Sequence, residues 1–396
     1  MKPKLLYASP FWPQKSGISE YSSILLKGLK DFFEIVLLTG DITIDAQYDA
    51  FPSIGYMEPI DWDSFDFVLY NFGNNPEYHG YMYTLLKEHP GYIILHDFSL
   101  YYLMTEMYQK ENCFFQKVYQ LEGPQAIRAI RNSIKSAKIN NLLEHKNLSS
   151  LLPLNQEVLQ MAQGVFVHSY YTERMVRQIN PDIKTCKINL VQEIPEKNDN
   201  CFHPAAISKG FCLGSLGFIA PSKQNHLICE AVCQYNTGAS SPITYFMIGE
   251  GDYVNSYLGK YIRKTGFLDN DDYFRSLQKC NLILNLRYPY GGESSATVLQ
   301  AMAYGKPCVV TDIGWFSELP DDCVIKVSKD ITSDELAEKL EEWVNSDLNL
   351  IGERARKYIE EAFSPYQIAR KIDDFMKKSV KGCDNLWSRV KLVNVE

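Results

Sequence analysis

The chain has 396 residues, enough for two domains with separate cores. Its composition is that of a soluble globular protein, 45% hydrophobic and 22% charged, with no low-complexity segment. A net charge of −8 argues against nucleic acid as the main partner, while leaving room for local basic patches. The ten cysteines are scattered without C-x-x-C or zinc spacing, which suits core thiols in a reducing cytoplasm. No apolar run approaches the ~20 residues needed to cross a bilayer.

The opening Met1–Pro10 is too short an apolar run for a signal peptide, so a cytoplasmic location is expected. Short apolar runs then alternate with amphipathic stretches, the rhythm of α/β layers with parallel sheets. Strands are predicted at Lys4–Ala8, Glu34–Leu38, Phe67–Asn71, Tyr92–Leu95 and Val165–His168, with helices such as Ser19–Lys30 and Tyr171–Gln178 between them. After the first strand, Pro13 and Gly17 shape a loop, and Ser19 is a candidate cap for the helix that follows. Loops at the carboxyl ends of parallel strands are where open sheets place ligands. Asp61-Trp-Asp63 has metal-site spacing but sits in a polar stretch before a strand, which favours a turn.

Polar residues cluster after two of the buried strands: Asn71-Phe-Gly-Asn74-Asn75 with His79, and Leu95-His96-Asp97. Buried polar groups need partners or a ligand, and their joint placement at strand ends points to a site. Residues 101–161 break the rhythm as a long helical excursion. Within it Arg128, Arg131, Lys135 and Lys138 form a basic stripe beside Ile127, Ile130 and Ile134. Two readings stand: the solvated face of a packed helix, or contact with an anionic membrane surface or a lipid-diphosphate acceptor. A similar mixture recurs where Lys377, Lys378, Lys381, Arg389 and Lys391 surround Trp387.

Glu193–Gly210 is polar, contains two prolines and reads as a linker. A second α/β series follows, with strands near Phe211–Leu216, Thr244–Ile248, Leu282–Leu286 and Cys308–Thr311. The predicted domains are 1–195, 205–365 and a C-terminal helix, 366–396, returning to the first. In the second series Gly214–Lys223 reads as strand, glycine bend, then a lysine able to meet a diphosphate. Asn285–Thr311 reads as a strand, a Gly-Gly-Glu-Ser-Ser bend, a helix opening at Ser294 or Ser295, and a second strand. The N–H groups and positive dipole end at Ser294, Ser295, Ala296 and Thr297 suit an anion without a metal, with one carboxylate, Glu293, beside it. No G-x-G-x-x-G follows a strand, and Gly305-Lys306-Pro307 fails as a P-loop, which counts against dinucleotide and P-loop chemistry.

Together these blocks resemble the retaining glycosyltransferases of family 4, over nearly the whole chain. The fold this implies is GT-B, two Rossmann-like domains facing each other across a cleft. Ser16-Gly17-Ile-Ser-Glu-Tyr21 is similar to the family's acceptor-side glycine loop, near the donor phosphates, and His96-Asp97 to its donor-sugar histidine block. Gly217–Lys223 resembles its phosphate lysine segment, and Gly266-Phe267-Leu268-Asp269 the stretch facing the nucleobase. Tyr70–Asn75, Leu286–Ser295 and Gly314–Pro320 are similar to blocks of a bacterial surface-polysaccharide subgroup. The sequence departs where the family has two glutamates eight positions apart: Gln300 holds the second place and Gly292 the first, with Glu293 one step later. Phe218 stands where an arginine is common, and Arg287 is a candidate replacement for its charge.

The implied reaction moves a hexose-type sugar from a nucleoside diphosphate to a glycan or lipid-linked hydroxyl, with retention and without a metal or other cofactor. Lys223, Arg287 and the Ser294–Thr297 amides would stabilise the leaving diphosphate. Glu293 and His96 would hold the sugar, Gln300 the ribose, and Phe267 and Leu268 the base. Asn74, Asn75, His79, Asp97, Ser16 and Gly292 would lie near sugar or acceptor, and the departing phosphate would take the acceptor's proton. Another GT-B activity such as a nucleotide-sugar epimerase, or a non-catalytic partner subunit, are the competing expectations.

Overall fold

The structure, a computed structural model, describes residues 2–138, 140–195 and 210–391, with side chains described as far as Ser379 except at residues 146 and 147. Most of the predicted linker lies outside those residues, as do the side chains of Lys381, Trp387, Arg389 and Lys391. The chain folds as two units, one holding residues up to Val191 with Gly291–Ser294 and the helix from Pro365, the other the remainder.

The first unit is a parallel sheet flanked by helices. Its strands are β1 (Lys4–Ala8), β2 (Glu34–Thr39), β3 (Ser53–Gly55), β4 (Phe67–Phe72), β5 (Tyr92–Leu95), β6 (Gly164–Val167) and β7 (Thr185–Lys187), in the spatial order β3-β2-β1-β4-β5-β6-β7. Order reverses between β1 and β4, the switch point at which doubly wound sheets open a crevice. The inner strands are buried on both faces and so read as continuous apolar runs. Helices α1 (Gly17–Leu29) and α2 (Pro76–Glu88) flank the sheet. Ser16, not Ser19, caps α1: its Oγ accepts from Ile18 N at 3.1 Å, while Ser19 is buried a turn later.

The described residues of 101–161 form the helices α3 (Tyr101–Lys110), α4 (Phe114–Ala137), α5 (Lys146–Leu151) and α6 (Gln156–Met161), with a 3-10 turn at Leu142–Glu144. Gly123 and Pro124 kink α4. Beyond the kink Ile130 is fully buried and Ile127 and Ile134 pack against the core, so Arg128, Arg131, Lys135 and Lys138 are left exposed on the other face. The remaining helices here are α7 (Tyr170–Ile179) and, far along the chain, the one that starts at Pro365. At Trp62–Ser64, just after Asp61, the structure has a 3-10 turn, with Trp62 stacked on His89 at a centroid distance of 3.7 Å.

The second unit repeats the plan. Its strands β8 (Cys212–Leu216), β9 (Thr244–Ile248), β10 (Ile262–Lys264), β11 (Leu282–Asn285), β12 (Cys308–Thr311) and β13 (Ile325–Val327) lie in the order β10-β9-β8-β11-β12-β13, all parallel. Reversal falls between β8 and β11. The helices are α8 (Asn225–Gly238), α9 (Asn270–Gln278), α10 (Ala296–Ala303), α11 (Ser333–Val344) and α12 (Asn349–Ala362). Then α13 (Pro365–Lys391) belongs to the first unit, where its start meets α1 so closely that a side chain at Gly28 would fall 2.2 Å from Pro365 O. Among the described residues no helix is long and apolar enough to cross a membrane.

Candidate functional site

In the first unit, one chain of hydrogen bonds joins the carboxyl ends of four neighbouring strands. Asn71 of β4 donates from Nδ2 to the Ala8 carbonyl at the end of β1 (3.2 Å). With the amide so oriented, Asn71 Oδ1 is an acceptor, and His96, one residue past β5, donates to it from Nε2 (3.2 Å). His96 Nδ1 is therefore the unprotonated nitrogen and accepts from Nε2 of His168, one residue past β6 (3.2 Å). Tyr21 of α1 meets both imidazoles edge-on, with centroids 4.6 Å and 5.5 Å away. His79 on α2 donates from Nδ1 to the Asn71 carbonyl (3.0 Å).

Burial penalises the imidazolium at all three histidines. It brings His79 down to about 3 and His168 to about 4, and with the neighbouring histidines it holds His96 well below the ordinary range. This is a neutral web in which both ring nitrogens of His96 are bonded, while the buried Nδ1 of His168 has no hydrogen-bond partner. A sugar hydroxyl can bond His96 only by displacing Asn71 or His168.

The other predicted residues of this unit divide by occupation. Asn75 caps α2, accepting from Glu77 N (2.9 Å). Asn74 Oδ1 accepts from Tyr102 N and Leu103 N (2.8 Å and 3.3 Å) and so holds the start of α3, while its own N–H donates to Asp97 Oδ2 (2.9 Å). Gly17 opens α1 with empty space where a side chain would stand. Ser16 is occupied as the cap of α1. Asp97 is raised to about 6, by burial first and by the charge of Glu293 second, against the opposing Asn74 N–H.

Glu293 reaches this unit through Gly291–Ser294. Thr172 Oγ1 donates to Gly292 O (3.0 Å), and Gly292 has φ +91°, with Phe98 Cβ 2.9 Å from where a side chain would begin. Only glycine fits that approach. Glu293 Oε2 accepts from Gly291 N (2.9 Å), which folds the carboxylate back over its own bend. Ser294 is half-buried beside it.

In the second unit the carboxyl ends of β8 and β11 are built from backbone. The loops after β8 and β9 interlock: Gly217 N donates to Ile248 O (2.9 Å) and Ile219 N to Glu250 O (2.7 Å). A side chain at Gly249 would fall 2.1 Å from Gly217 O, so the contact exists only because there is none. Lys223 ends the short turn Pro221–Lys223 and folds back to donate from Nζ to Leu216 O at the end of β8 (2.9 Å). Its Nζ lies 3.0 Å, and Thr297 Cγ2 3.5 Å, from the point a Gly217 side chain would occupy. The ammonium and the first turn of α10 thus meet over a bare glycine.

Ser295 caps α10, accepting from Val298 N (3.4 Å), and Thr297 Oγ1 sits among Ser295 Oγ (3.1 Å) and Asn285 Nδ2 (3.4 Å). Ala296 and Thr297 form the first turn, whose N–H groups have no acceptor within the helix. Arg287 follows β11 and is half-buried, with its N–H on Thr311 Oγ1 (2.9 Å); Tyr288 N donates to Ser222 O (2.9 Å), tying the two strand-end loops together. Gln300 Oε1 accepts from Tyr273 OH (3.0 Å). Phe267 is 72% exposed with Leu268 half-buried beside it, ahead of the Asp269 cap of α9. An ammonium, a helix start and a glycine floor at a switch point are the groups from which anion sites are built.

His168 is not among the site residues read from the sequence, and Asn71 and Tyr21 enter that reading only as ends of the blocks Asn71–Asn75 and Ser16–Tyr21. The signal for them is a histidine ending each of two apolar runs, Tyr92–Leu95 and Val165–Val167, which parallel pairing sets side by side.

Residues 210–346, most of this second unit, match the family model described as Glycosyl transferases group 1. Among solved structures, the chain is similar to Anabaena HepE in complex with UDP: 15% identity, 96% of this chain and 100% of that one covered, TM-score 0.61. It is similar to a Rickettsia africae glycosyltransferase at 15% identity, 96% and 99% coverage and TM-score 0.61. Similarity to the sucrose-phosphate synthase of Thermosynechococcus elongatus has 12% identity, 96% and 100% coverage and TM-score 0.62. No curated protein sequence matches the chain. Its two parallel sheets with flanking helices are those of a GT-B fold.

Proposed function

We propose that the chain transfers a hexose-type sugar from a nucleoside-diphosphate sugar to a hydroxyl of a glycan or lipid-linked acceptor, with retention and without a metal, as a bacterial member of glycosyltransferase family 4. The observation that carries this reading is the anion site over Gly217, lying inside the segment that matches the glycosyltransferase model. Cleavage of the donor puts negative charge on the departing diphosphate. Lys223, the Ala296–Thr297 amides and Arg287 supply fixed positive potential there, stronger in the transition state than in the ground state. Glu293 orients the sugar ring beside the developing oxocarbenium charge, and Gln300, already bonded to Tyr273, takes the ribose. Phe267 and Leu268 stand at the base.

HepE has been solved with UDP and with UDP-glucose, which supports uridine as the first nucleotide to test. The exposed cations of α4 support a further reading, peripheral contact of the helical excursion with an anionic membrane face, where a lipid-linked acceptor would be found. The test is sugar transfer or donor hydrolysis with UDP-glucose. Glu293→Ala should be slower by about 100-fold, the scale of one lost transition-state contact. Undiminished turnover in that variant would remove Glu293 from the mechanism, and sensitivity to chelators would contradict a metal-free reaction.

A further inference from the structure

Within the second unit, Cys212 opens β8 and Cys280 stands at the entry to β11, just past the end of α9. Asn281 ties the two segments together: its N–H donates to Cys212 O (2.8 Å) and its Oδ1 accepts from Cys212 N (2.8 Å). The parallel register of Leu213 with Leu282 follows at once, so Cys280 lies one place diagonal to Cys212. Diagonal Cα atoms on neighbouring strands are about 6 Å apart, inside the span that a disulfide bridges. Alternate side chains on a strand share a face, so Cys212 points to the side on which a Gly214 side chain would stand. Cys280 fills that side: its Sγ lies 2.5 Å, and its Cβ 3.1 Å, from where a Gly214 side chain would begin. The bare glycine admits the Cys280 thiol to the Cys212 face of β8.

Cys280 is buried and Cys212 is partly exposed, so a dissolved oxidant meets Cys212 first. The groups facing Cys212 are the Cys280 thiol, Thr244 of β9, and the ammoniums of Lys306 and Lys279. Lys306 Nζ is held in place by the carbonyls of Gln278 (2.7 Å) and Cys280 (2.9 Å). The hydrogen bond with Cys280 first, then Thr244 and the ammoniums, bring the Cys212 thiol down to about 7 against its burial. The same bond and deep burial hold Cys280 well above the usual thiol range. Burial likewise pushes Cys229, Cys308 and Cys323 up. Cys212 is thus the attacking thiolate and Cys280 its neighbour in reserve.

We propose that Cys212 and Cys280 form an oxidation site, at which a peroxide converts the pair into a disulfide joining β8 to β11. The Cys212 thiolate attacks a peroxide oxygen, and the sulfur–oxygen bond forms as the oxygen–oxygen bond breaks. Hydroxide leaves and is protonated to water, and Cys212 becomes a sulfenic acid. The Cys280 sulfur then attacks the Cys212 sulfur. The disulfide forms as the sulfur–oxygen bond breaks, and the departing hydroxide takes the Cys280 proton to leave as water. Both thiols are oxidised and the peroxide is reduced to water. Strand order reverses between β8 and β11, and the bond closes at their amino ends, while Gly217 and Lys223 lie beyond the carboxyl end of β8. The site therefore staples the strands of the switch point without occupying the anion site.

The test is peptide mapping of the full chain under non-reducing conditions, after hydrogen peroxide at about pH 7 and alkylation of the remaining thiols. Expected is a linked peptide pair containing Cys212 and Cys280, lighter by the hydrogens of both thiols and separated again by dithiothreitol. Cys212→Ser should abolish the link and leave Cys280 a thiol. Cys280→Ser should leave Cys212 as a sulfenic acid that dimedone traps. The exposed Cys233 reports that oxidant reached the protein. A wild-type chain in which Cys233 is oxidised while Cys212 stays a thiol overturns the proposal. So does a Cys212 that links to a different cysteine, or one that is oxidised to the sulfinic acid while Cys280 keeps its thiol.

Discussion

The two units have the same strand order about the switch point, and they finish their strands in opposite ways. In the first, side chains close the ends: Asn71, His96 and His168 run laterally from β1 across β4 and β5 to β6, each side chain bonded to the next. In the second, backbone closes the ends: glycine loops interlock and a single lysine folds over them. A side-chain web excludes charge and presents shape, whereas a backbone cradle presents N–H groups and accepts an anion. The shared fold says nothing about this division; residues at the strand ends and in the loops that follow, from Asn71 within β4 to Lys223 seven places past β8, decide it.

The contrast breaks most severely at Gly249. Gly249→Ala pushes a methyl into Gly217 O and should cost roughly 3 kcal/mol or more, since neither loop can yield without breaking its two ladder-like bonds. Denaturant unfolding would measure that loss, and nucleotide binding should fail with it. A variant of wild-type stability would mean that the cradle is not set by this contact.

Acid should act on the other unit. His79 and His168 have folded values of about 3 and about 4, below the 6.5 of an unfolded histidine, so the unfolded chain takes up protons first. Stability is therefore full above pH ~6.5 and declines as pH falls toward the folded values, by up to ~1.4 kcal/mol per pH unit for each group. Unfolding free energies at pH ~7 and pH ~5 should differ by a few kcal/mol at most, and His168→Gln should narrow that gap. A gap unchanged by the substitution would mean that His168 is not held neutral by the web.

Sequence makes the core of the architecture legible and misses its margins. The four unpredicted strands, β3, β7, β10 and β13, have three residues each and lie at the outer edges of the two sheets. A three-residue edge strand carries no periodicity to read, while the inner strands announce themselves as unbroken apolar runs. Ser19 as the cap of α1 is one turn late, because Ser16 and Ser19 are equivalent in composition and only the backbone separates them.

At the candidate site, Lys223, Ser295 and Thr297 can be read as a glycine bend and a helix start. What Asn74 and Asn75 do cannot, since capping α2 and α3 uses partners 2 and 28 positions away. His96 is legible as a polar residue at a strand end, but its engagement by Asn71 and His168 depends on the pairing of β4, β5 and β6.

The central claim, that the backbone cradle of the second unit holds a nucleoside diphosphate under Lys223, is tested most directly by titration calorimetry of UDP into the wild-type chain and into Lys223→Ala. Wild-type binding weakened by about 10- to 100-fold in the variant, with UMP affected less than UDP, is the predicted result, on the scale of one charge-assisted contact to phosphate. Equal UDP affinity in the two proteins would contradict it.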